Sequence, residues 1–329
     1  MNYYQILKIT GIILLIFSLF ILIPISAAFF YGESIDNFLQ SFLIIFFVGL
    51  IAYFPNKKER SQIKIREGFL IVAIFWFVLS FFGAIPFLMD ESLKFSLVDA
   101  VFESASGWTT TGATVVSNID NLNKPLLLYR QLLQWLGGIG IVVLVLAILP
   151  ILGVGGMYLY KAETSSPVKD NKLSPRITET AKSLWGVYIV LTIACAVLYK
   201  IAGMSYFDAI GHSFSTVSIG GFSTHDASIG FYSSDLIKII CMVFMFLSAL
   251  NFVLHFLFYK NKSLTVYTSN SEMKSFLLII IILLLLVAIF STGGRIQSIE
   301  NIDIMFHILS FATTSGFTVS NYSSWPTFI

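Results

Sequence analysis

Residues 96–114 read SLVDAVFESASGWTTTGAT, and the same pattern returns twice, as SYFDAIGHSFSTVSIGGFS at 205–223 and ENIDIMFHILSFATTSGFT at 300–318. Aligned without gaps on the glycine near the end of each segment, the three agree in several columns at once. Chance can supply one such column, but not all of them in one register. The sequence therefore contains an internal repeat of about 100 residues.

The shared columns are polar. Thirteen residues before the glycine stands an aspartate, nine before stands an acid or histidine, six before a serine, and hydroxyls stand three before and two after. The glycines are Gly112, Gly221 and Gly316; the aspartates are Asp99, Asp208 and Asp303; the acid or histidine is Glu103, His212 or His307; the serines are Ser106, Ser215 and Ser310. The hydroxyls are Thr109, Ser218 and Thr313, then Thr114, Ser223 and Thr318.

The composition places these repeats in a membrane protein. Of the 329 residues, 57% are hydrophobic and only 12% are charged, whereas soluble domains contain about 25% charged residues. The net charge of +2 is too balanced to indicate a nucleic-acid partner. The fold class is therefore an all-α polytopic membrane protein, whose first apolar segment is long enough to be an uncleaved helix and not a signal peptide.

Seven membrane spans are predicted from runs of about 20 apolar residues. They lie near 8–30, 38–54, 67–89, 125–150, 183–203, 236–259 and 275–293. Lysines and arginines cluster in every second connection, beginning with NKKERSQIKIR, so those connections are predicted to be cytoplasmic. The N-terminus is then cytoplasmic, and the three repeated segments face the opposite side of the membrane.

Each repeated segment is too short to cross the membrane and too apolar for a solvated loop, which predicts a re-entrant element. The aspartate is expected to cap a short pore helix and to complement its dipole, and the helix carbonyls then point toward the membrane centre. At the glycine the backbone can turn its carbonyls to one side. Several such strands around an axis would replace the hydration shell of a cation.

Three long segments extend the pattern: YRQLLQWLGGIGIVVLVLAILPILGVGG (129–156), LYKAETSSPVKDNKLSPRITETAK (159–182) and STVSIGGFSTHDASIGFY (215–232). With the repeats, they make the chain resemble the Trk/Ktr/HKT superfamily of potassium transporters, most closely the membrane subunit of bacterial Trk potassium uptake. The resemblance implies four span–pore-helix–filter–span units in pseudo-fourfold symmetry, preceded by two extra helices. It assigns residues 1–60 to the extra helices and 61–158, 159–262 and 263–329 to successive units.

The resemblance also implies the site. Potassium, the substrate, would bind to backbone carbonyls of three filter segments, and no covalently bound cofactor is expected. Filter segment 1 is Thr110, Thr111 and Gly112; segment 2 is Ile219, Gly220 and Gly221; segment 3 is Thr314, Ser315 and Gly316. Glycine in the last place of all three indicates potassium, since a serine in the first segment accompanies sodium transport in some relatives.

The resemblance further implies a homodimer in the bacterial inner membrane, in contact with lipid and with a cytosolic nucleotide-binding regulatory subunit. The sequence ends soon after segment 3, so the second span of the third unit, which carries a gating loop in the family, and the whole fourth unit are expected to be missing. A nonconducting fragment of such a transporter is therefore an alternative.

A further alternative is a membrane metalloenzyme that uses Glu103, His212 and His307. It competes with the interpretation that these three residues are hydrogen-bonded side chains on the pore helices. Three other residues receive structural interpretations: Arg130 is expected to snorkel to the outer surface, Gly137 to allow close helix contact, and His255 to pack near the inner end of a span.

Overall fold

A computed structural model describes residues 3–59, 65–138, 140, 174–291 and 301–322, and its regular elements over these ranges are helices. The chain forms two compact units, one of Met1–Thr109 with Ala113–Gly186 and one of Thr110–Gly112 with Val187–Ile329. All three filter segments therefore belong to the second compact unit.

The helices of the first compact unit are α1 (Tyr3–Tyr31), α2 (Asp36–Tyr53), α3 (Ile65–Phe82), α4 (Ile85–Met89), α5 (Leu97–Trp108) and α6 (Lys124–Gly138). Helix α7 (Ser174–Ile201) continues into the second compact unit, which also contains α8 (Tyr206–Val217), α9 (Asp235–Ala249), α10 (Phe252–Asn261), α11 (Thr265–Thr268), α12 (Ser271–Ser291) and α13 (Asn301–Ala312). Helices α5, α8 and α13 coincide with the three predicted pore helices, and we call them pore helices 1, 2 and 3.

Four predicted spans are confirmed as helices long and apolar enough to cross a membrane. They are Tyr3–Tyr31, Asp36–Asn56, Leu70–Met89 and Lys182–Ile201. The predicted span 125–150 begins as α6, and its part beyond Gly138 lies almost entirely outside the described residues. Helix α12 coincides with the predicted span 275–293 as far as Ser291.

The predicted span over 236–259 is not one continuous helix. Helices α9 and α10 meet at an angle of 92°. Leu250 ends α9 with an extended backbone (ψ 151°), and the side chain of Asn251 accepts a hydrogen bond from Val253 N at 3.1 Å. A new N-cap thus begins a second helix where the hydrophobic run alone predicts continuation.

Glycines let helices of the first compact unit approach at backbone distance. A Cβ added to Gly11 in α1 would lie 2.6 Å from the nitrogen of Tyr53 at the end of α2. A Cβ on Gly137 in α6 would lie 1.9 Å from the carbonyl oxygen of Trp108, the last residue of pore helix 1. The close contact predicted at Gly137 therefore supports the end of a pore helix.

Replacing Gly137 with alanine is expected to displace the end of pore helix 1 and to destabilise the protein by about 1–3 kcal/mol, as overpacking does. The measurement is thermal unfolding of the purified protein in detergent. Gly186→Ala is the matched control, because Gly186 lies in α7 with no atom within 4 Å of an added Cβ. Equal stability of the two variants would contradict the prediction.

Candidate functional site

The three pore helices begin alike. Each has twelve residues and an aspartate in its third position, and the two whose preceding residue is described have a serine N-cap. Ser96 Oγ accepts a hydrogen bond from Asp99 N at 3.2 Å, while Asp99 Oδ2 accepts one from Ser96 N at 3.1 Å. The aspartates predicted as caps therefore stand one turn inside the helix, and in pore helix 1 serine and aspartate share the capping.

The ends of pore helices 2 and 3 also match. In both, the residue three places before the glycine donates its backbone N–H to the carbonyl oxygen of the residue four places earlier. These bonds are Ser218 N to Phe214 O at 3.1 Å and Thr313 N to Leu309 O at 2.9 Å. The residue just before the glycine then donates to the serine six places before that glycine. These bonds are Gly220 N to Ser215 O at 2.8 Å and Ser315 N to Ser310 O at 2.9 Å.

The filter segments share one backbone conformation. In each, the first and third residues have positive φ and the middle residue does not. The values are 54° and 76° for Thr110 and Gly112, 57° and 79° for Ile219 and Gly221, and 65° and 74° for Thr314 and Gly316. Alternation between left-handed and ordinary backbone rotates successive peptide planes, so that consecutive carbonyls turn toward the same side, as a carbonyl-lined cation site requires.

Three of these positive φ values belong to threonine or isoleucine. For a β-branched residue such a conformation is an outlier, and it costs on the order of 1–3 kcal/mol unless the surroundings impose it. Strained backbone of this kind concentrates at functional sites. Its recurrence at Thr110, Ile219 and Thr314, two residues before each glycine, marks the filter segments as the candidate site.

Segments 2 and 3 lie against each other within the second compact unit. A Cβ added to Gly221 would lie 1.9 Å from the carbonyl oxygen of Ser315. The residues that follow the two segments are also hydrogen-bonded to each other. Gly230 N donates to Thr318 O at 3.0 Å, and Thr318 N donates to Ser228 Oγ at 3.2 Å. The two segments are thus held as neighbours by main-chain contacts and by one hydrogen bond to the Ser228 hydroxyl.

A buried ion pair supports the chain after segment 1. Arg130 Nε lies 2.8 Å from Glu103 Oε1, with the two side chains 1% and 0% exposed. Thr114 Oγ1 accepts from Arg130 Nη2 at 3.0 Å and donates to Glu103, and Val115 N donates to Glu103 Oε2 at 3.1 Å. Arg130, predicted to snorkel outward, instead neutralises the carboxylate that holds Thr114 and Val115.

The second repeat makes the corresponding support without charge. His212 Nε2 lies 2.9 Å from Ser223 Oγ, and His212 Nδ1 lies 2.9 Å from the carbonyl oxygen of Asp208. The residue nine places before the glycine therefore forms a hydrogen bond with the hydroxyl two places after the glycine. Glu103 and Thr114 form the same hydrogen bond in the first repeat. In the third repeat, His307 Nδ1 lies 2.8 Å from Asp303 O. In the first two repeats, two polar columns therefore meet in space.

The aspartates in the first turn of pore helices 2 and 3 accept hydrogen bonds from other segments of the same chain. Thr224 Oγ1 donates to Asp208 Oδ1 at 2.8 Å, and Lys238 Nζ at the start of α9 donates to Asp303 Oδ1 at 2.8 Å. Asp208 lies between predicted spans. Burial raises its pKa, but hydrogen bonds from His225, Ser205 and Thr224 outweigh burial and hold the pKa well below its usual range. Asp208 therefore stays ionised as an anchor for the loop after segment 2.

The metalloenzyme alternative finds no support in the described part of the chain. Over residues 3–59, 65–138, 140, 174–291 and 301–322, no group of three or more histidines, cysteines or acids is placed to hold a metal ion. Glu103 and His212 are instead occupied by the contacts above. This agrees with the interpretation of these side chains as hydrogen-bonded residues on pore helices.

Sequence reasoning missed the contacts that hold the filter segments. Arg130, Thr224 and Lys238 were not among the predicted site residues. For Arg130 a signal existed: Glu103 is the one acid in a column otherwise filled by histidine, and an acid buried in a membrane protein needs a cationic partner. The partner stands 27 residues later in the sequence, so spacing along one helix does not reveal it.

The family model described as TrkH, cation transport protein, matches residues 34–329. The chain belongs to this family. It is 47% identical over 331 residues to the Trk system potassium uptake protein TrkH of Halomonas elongata, with 99% of this chain and 68% of that protein covered. It is 46% identical over 333 residues to TrkH of Escherichia coli K12, with 100% and 69% covered.

A solved structure agrees with the TrkH family assignment. The crystal structure of the potassium transporter TrkH from Vibrio parahaemolyticus matches with a TM-score of 0.85 and 41% identity, covering 100% of this chain and 68% of that one. The chain is thus an all-α polytopic membrane protein of a transporter family, and transport is its class of function, not catalysis.

Proposed function

We propose that the chain takes up potassium ions through a filter of backbone carbonyls. The observation that carries the proposal is the conformation repeated three times, with positive φ at the first and third residues of each filter segment. Potassium is the substrate, and its ligands would be carbonyl oxygens of the nine residues in segments 1 to 3. The relatives named as potassium uptake proteins support this choice of ion.

The chemistry of these segments suits a weakly hydrated monovalent cation. None of the nine residues is an acid, so binding relies on carbonyl dipoles that replace water without trapping the ion. The pore helices add the negative ends of their dipoles, because each helix ends one residue before Thr109, Ser218 or Thr313 and so directs its last carbonyls toward a filter segment.

The sequence and the family support a proposal for the setting of this activity. We propose the bacterial inner membrane with a cytoplasmic N-terminus, from the distribution of lysine and arginine. Uptake would be driven by the membrane potential, worth about 2.3 kcal/mol per charge per 100 mV. Because relatives are named as parts of a Trk system, we also propose a homodimer in lipid with a cytosolic nucleotide-binding subunit, and filter units in pseudo-fourfold symmetry.

Growth of bacteria that lack potassium uptake tests the proposal. The chain is produced alone, and also joined to the part of the Vibrio parahaemolyticus relative that it does not cover. Rescue on low-potassium medium by either form supports potassium uptake, and rescue by the joined form alone identifies the chain by itself as nonconducting. If neither form rescues although both reach the membrane, the proposed function is wrong.

Gly112→Ser in whichever form rescues is expected to reduce selectivity for potassium over sodium. Gly112 holds a φ of 76°, which serine adopts only with strain, so the carbonyls of segment 1 lose their alignment. The measurement is rubidium uptake in competition with sodium or potassium. Unchanged competition would remove segment 1 from the proposed site.

A further inference from the structure

The break between α9 and α10 creates a sharp corner in the chain. Helix α9 belongs to a predicted span, and α10 leaves it at 92°. A helix perpendicular to a span runs along the plane of the membrane, which is the position of interfacial helices. We call residues 247–268 the elbow.

Hydrogen bonds from a buried histidine fix the elbow. His255, 8% exposed, lies with Nε2 2.9 Å from the carbonyl oxygen of Leu247 and with Nδ1 2.8 Å from the hydroxyl of Tyr267. One imidazole therefore joins the end of α9 to α11 across the corner. At the other end of α10, Lys262 N donates to Phe258 O at 2.7 Å, and Lys262 takes a left-handed conformation that ends the helix.

Beyond this anchor, the elbow presents aromatic and basic side chains. Tyr259 is 78% exposed and Leu264 is 68% exposed, and Lys260 and Lys262 beside them are exposed as well. Residues 252–271 contain no aspartate or glutamate. Tyrosine and lysine together at the end of a span are typical of the membrane–water interface, where the ring lies at headgroup depth and the ammonium reaches outward.

We propose that this exposed end of the elbow binds the headgroups of anionic phospholipids. The two lysines supply the attraction, since basic side chains next to an anionic membrane surface bind it electrostatically. Tyr259 and Leu264 enter the boundary between headgroups and acyl chains. Because His255 holds the corner, the site is formed before lipid arrives, which reduces the cost of ordering it.

A lipid surface fits the elbow better than a protein partner does. Tyr259 and Leu264 flank the two lysines in sequence, and all four side chains are exposed, a combination typical of the membrane–water interface. This inference does not depend on which ion the chain carries. Its test therefore measures contact with lipid and does not measure transport.

The test uses a cysteine label at the elbow. The native cysteines, Cys195 and Cys241, are buried with 0% exposure, so Tyr259→Cys is labelled selectively with bimane and the native chain serves as the blank. The labelled protein is placed in lipid nanodiscs containing a small fraction of nitroxide lipid, with the nitroxide on the headgroup or deep in the acyl chain. Ile193→Cys, at an exposed site in α7, marks the membrane core, and Ser34→Cys marks a predicted outward loop.

Bimane at residue 259 is expected to be quenched more by headgroup nitroxide than by deep nitroxide. Phosphatidylglycerol nitroxide should quench at least about twofold more than phosphatidylcholine nitroxide at equal mole fraction. Adding Lys260→Gln and Lys262→Gln should remove the preference for phosphatidylglycerol nitroxide. The depth of the bimane label, measured by headgroup against deep nitroxide, should not change. Equal quenching by the two headgroups overturns the anionic selectivity, and the absence of lipid quenching overturns the interfacial placement and favours a protein partner.

Discussion

Replacing Arg130 with leucine is expected to destabilise the protein by about 3–5 kcal/mol and to abolish potassium-supported growth. The change leaves the Glu103 carboxylate buried and 0% exposed without its cation. Thr114 and Val115, which Glu103 holds two and three residues after Gly112, then lose their position. Thermal unfolding in detergent and growth on low potassium measure the two effects.

A double variant separates lost charge balance from lost packing. Glu103→His with Arg130→Leu copies the neutral support of the second repeat, where His212 bonds Ser223 at 2.9 Å. The double variant is expected to recover much of the stability that the single variant loses. Lys58→Leu, which removes an exposed positive charge, should change stability by no more than about 0.5 kcal/mol. A single variant as stable as this control would show that the ion pair does not support the filter.

Replacing Gly221 with alanine is expected to eliminate potassium-supported growth. The added Cβ would lie 1.9 Å from the carbonyl oxygen of Ser315, so segments 2 and 3 must separate. The φ of 79° adds about 1–2 kcal/mol of strain. Growth on low potassium, with membrane abundance measured in parallel, tests this expectation.

Gly32→Ala is the matched control for Gly221→Ala. Gly32 also has a positive φ, 70°, but an added Cβ there meets no atom within 4 Å. The control therefore carries the backbone strain without the collision. If both variants grow equally well, contact between the segments is not required for transport. If both fail, strain alone explains the loss.

The sequence predicts the helices better than their interruptions. Hydrophobic length predicts the four confirmed spans because the membrane requires about 20 apolar residues for each. It does not predict the corner after Ala249, since apolar residues continue on both sides. The only local signal there is Asn251, a residue type that favours N-caps.

The repeat predicts where the site lies but not how it is held. Glycine at the end of each filter segment predicts its positive φ correctly. The positive φ of Thr110, Ile219 and Thr314 could not be predicted from the sequence, because β-branched residues disfavour that conformation. The serine N-caps were readable, since Ser96 and Asp99 stand in the spacing of a capping box.

The left-handed isoleucine and threonines bear on how the protein is made. An isolated peptide of these L-residues would relax to ordinary backbone angles, so the filter conformation is imposed by neighbouring chain and is not intrinsic to the segment. Segment 3 is one of those neighbours, because Ser315 packs against Gly221, and we expect segment 2 to take its final conformation only after segment 3 has been synthesised. We therefore expect the filter conformation to form late in biogenesis, after the helices that carry the segments have packed.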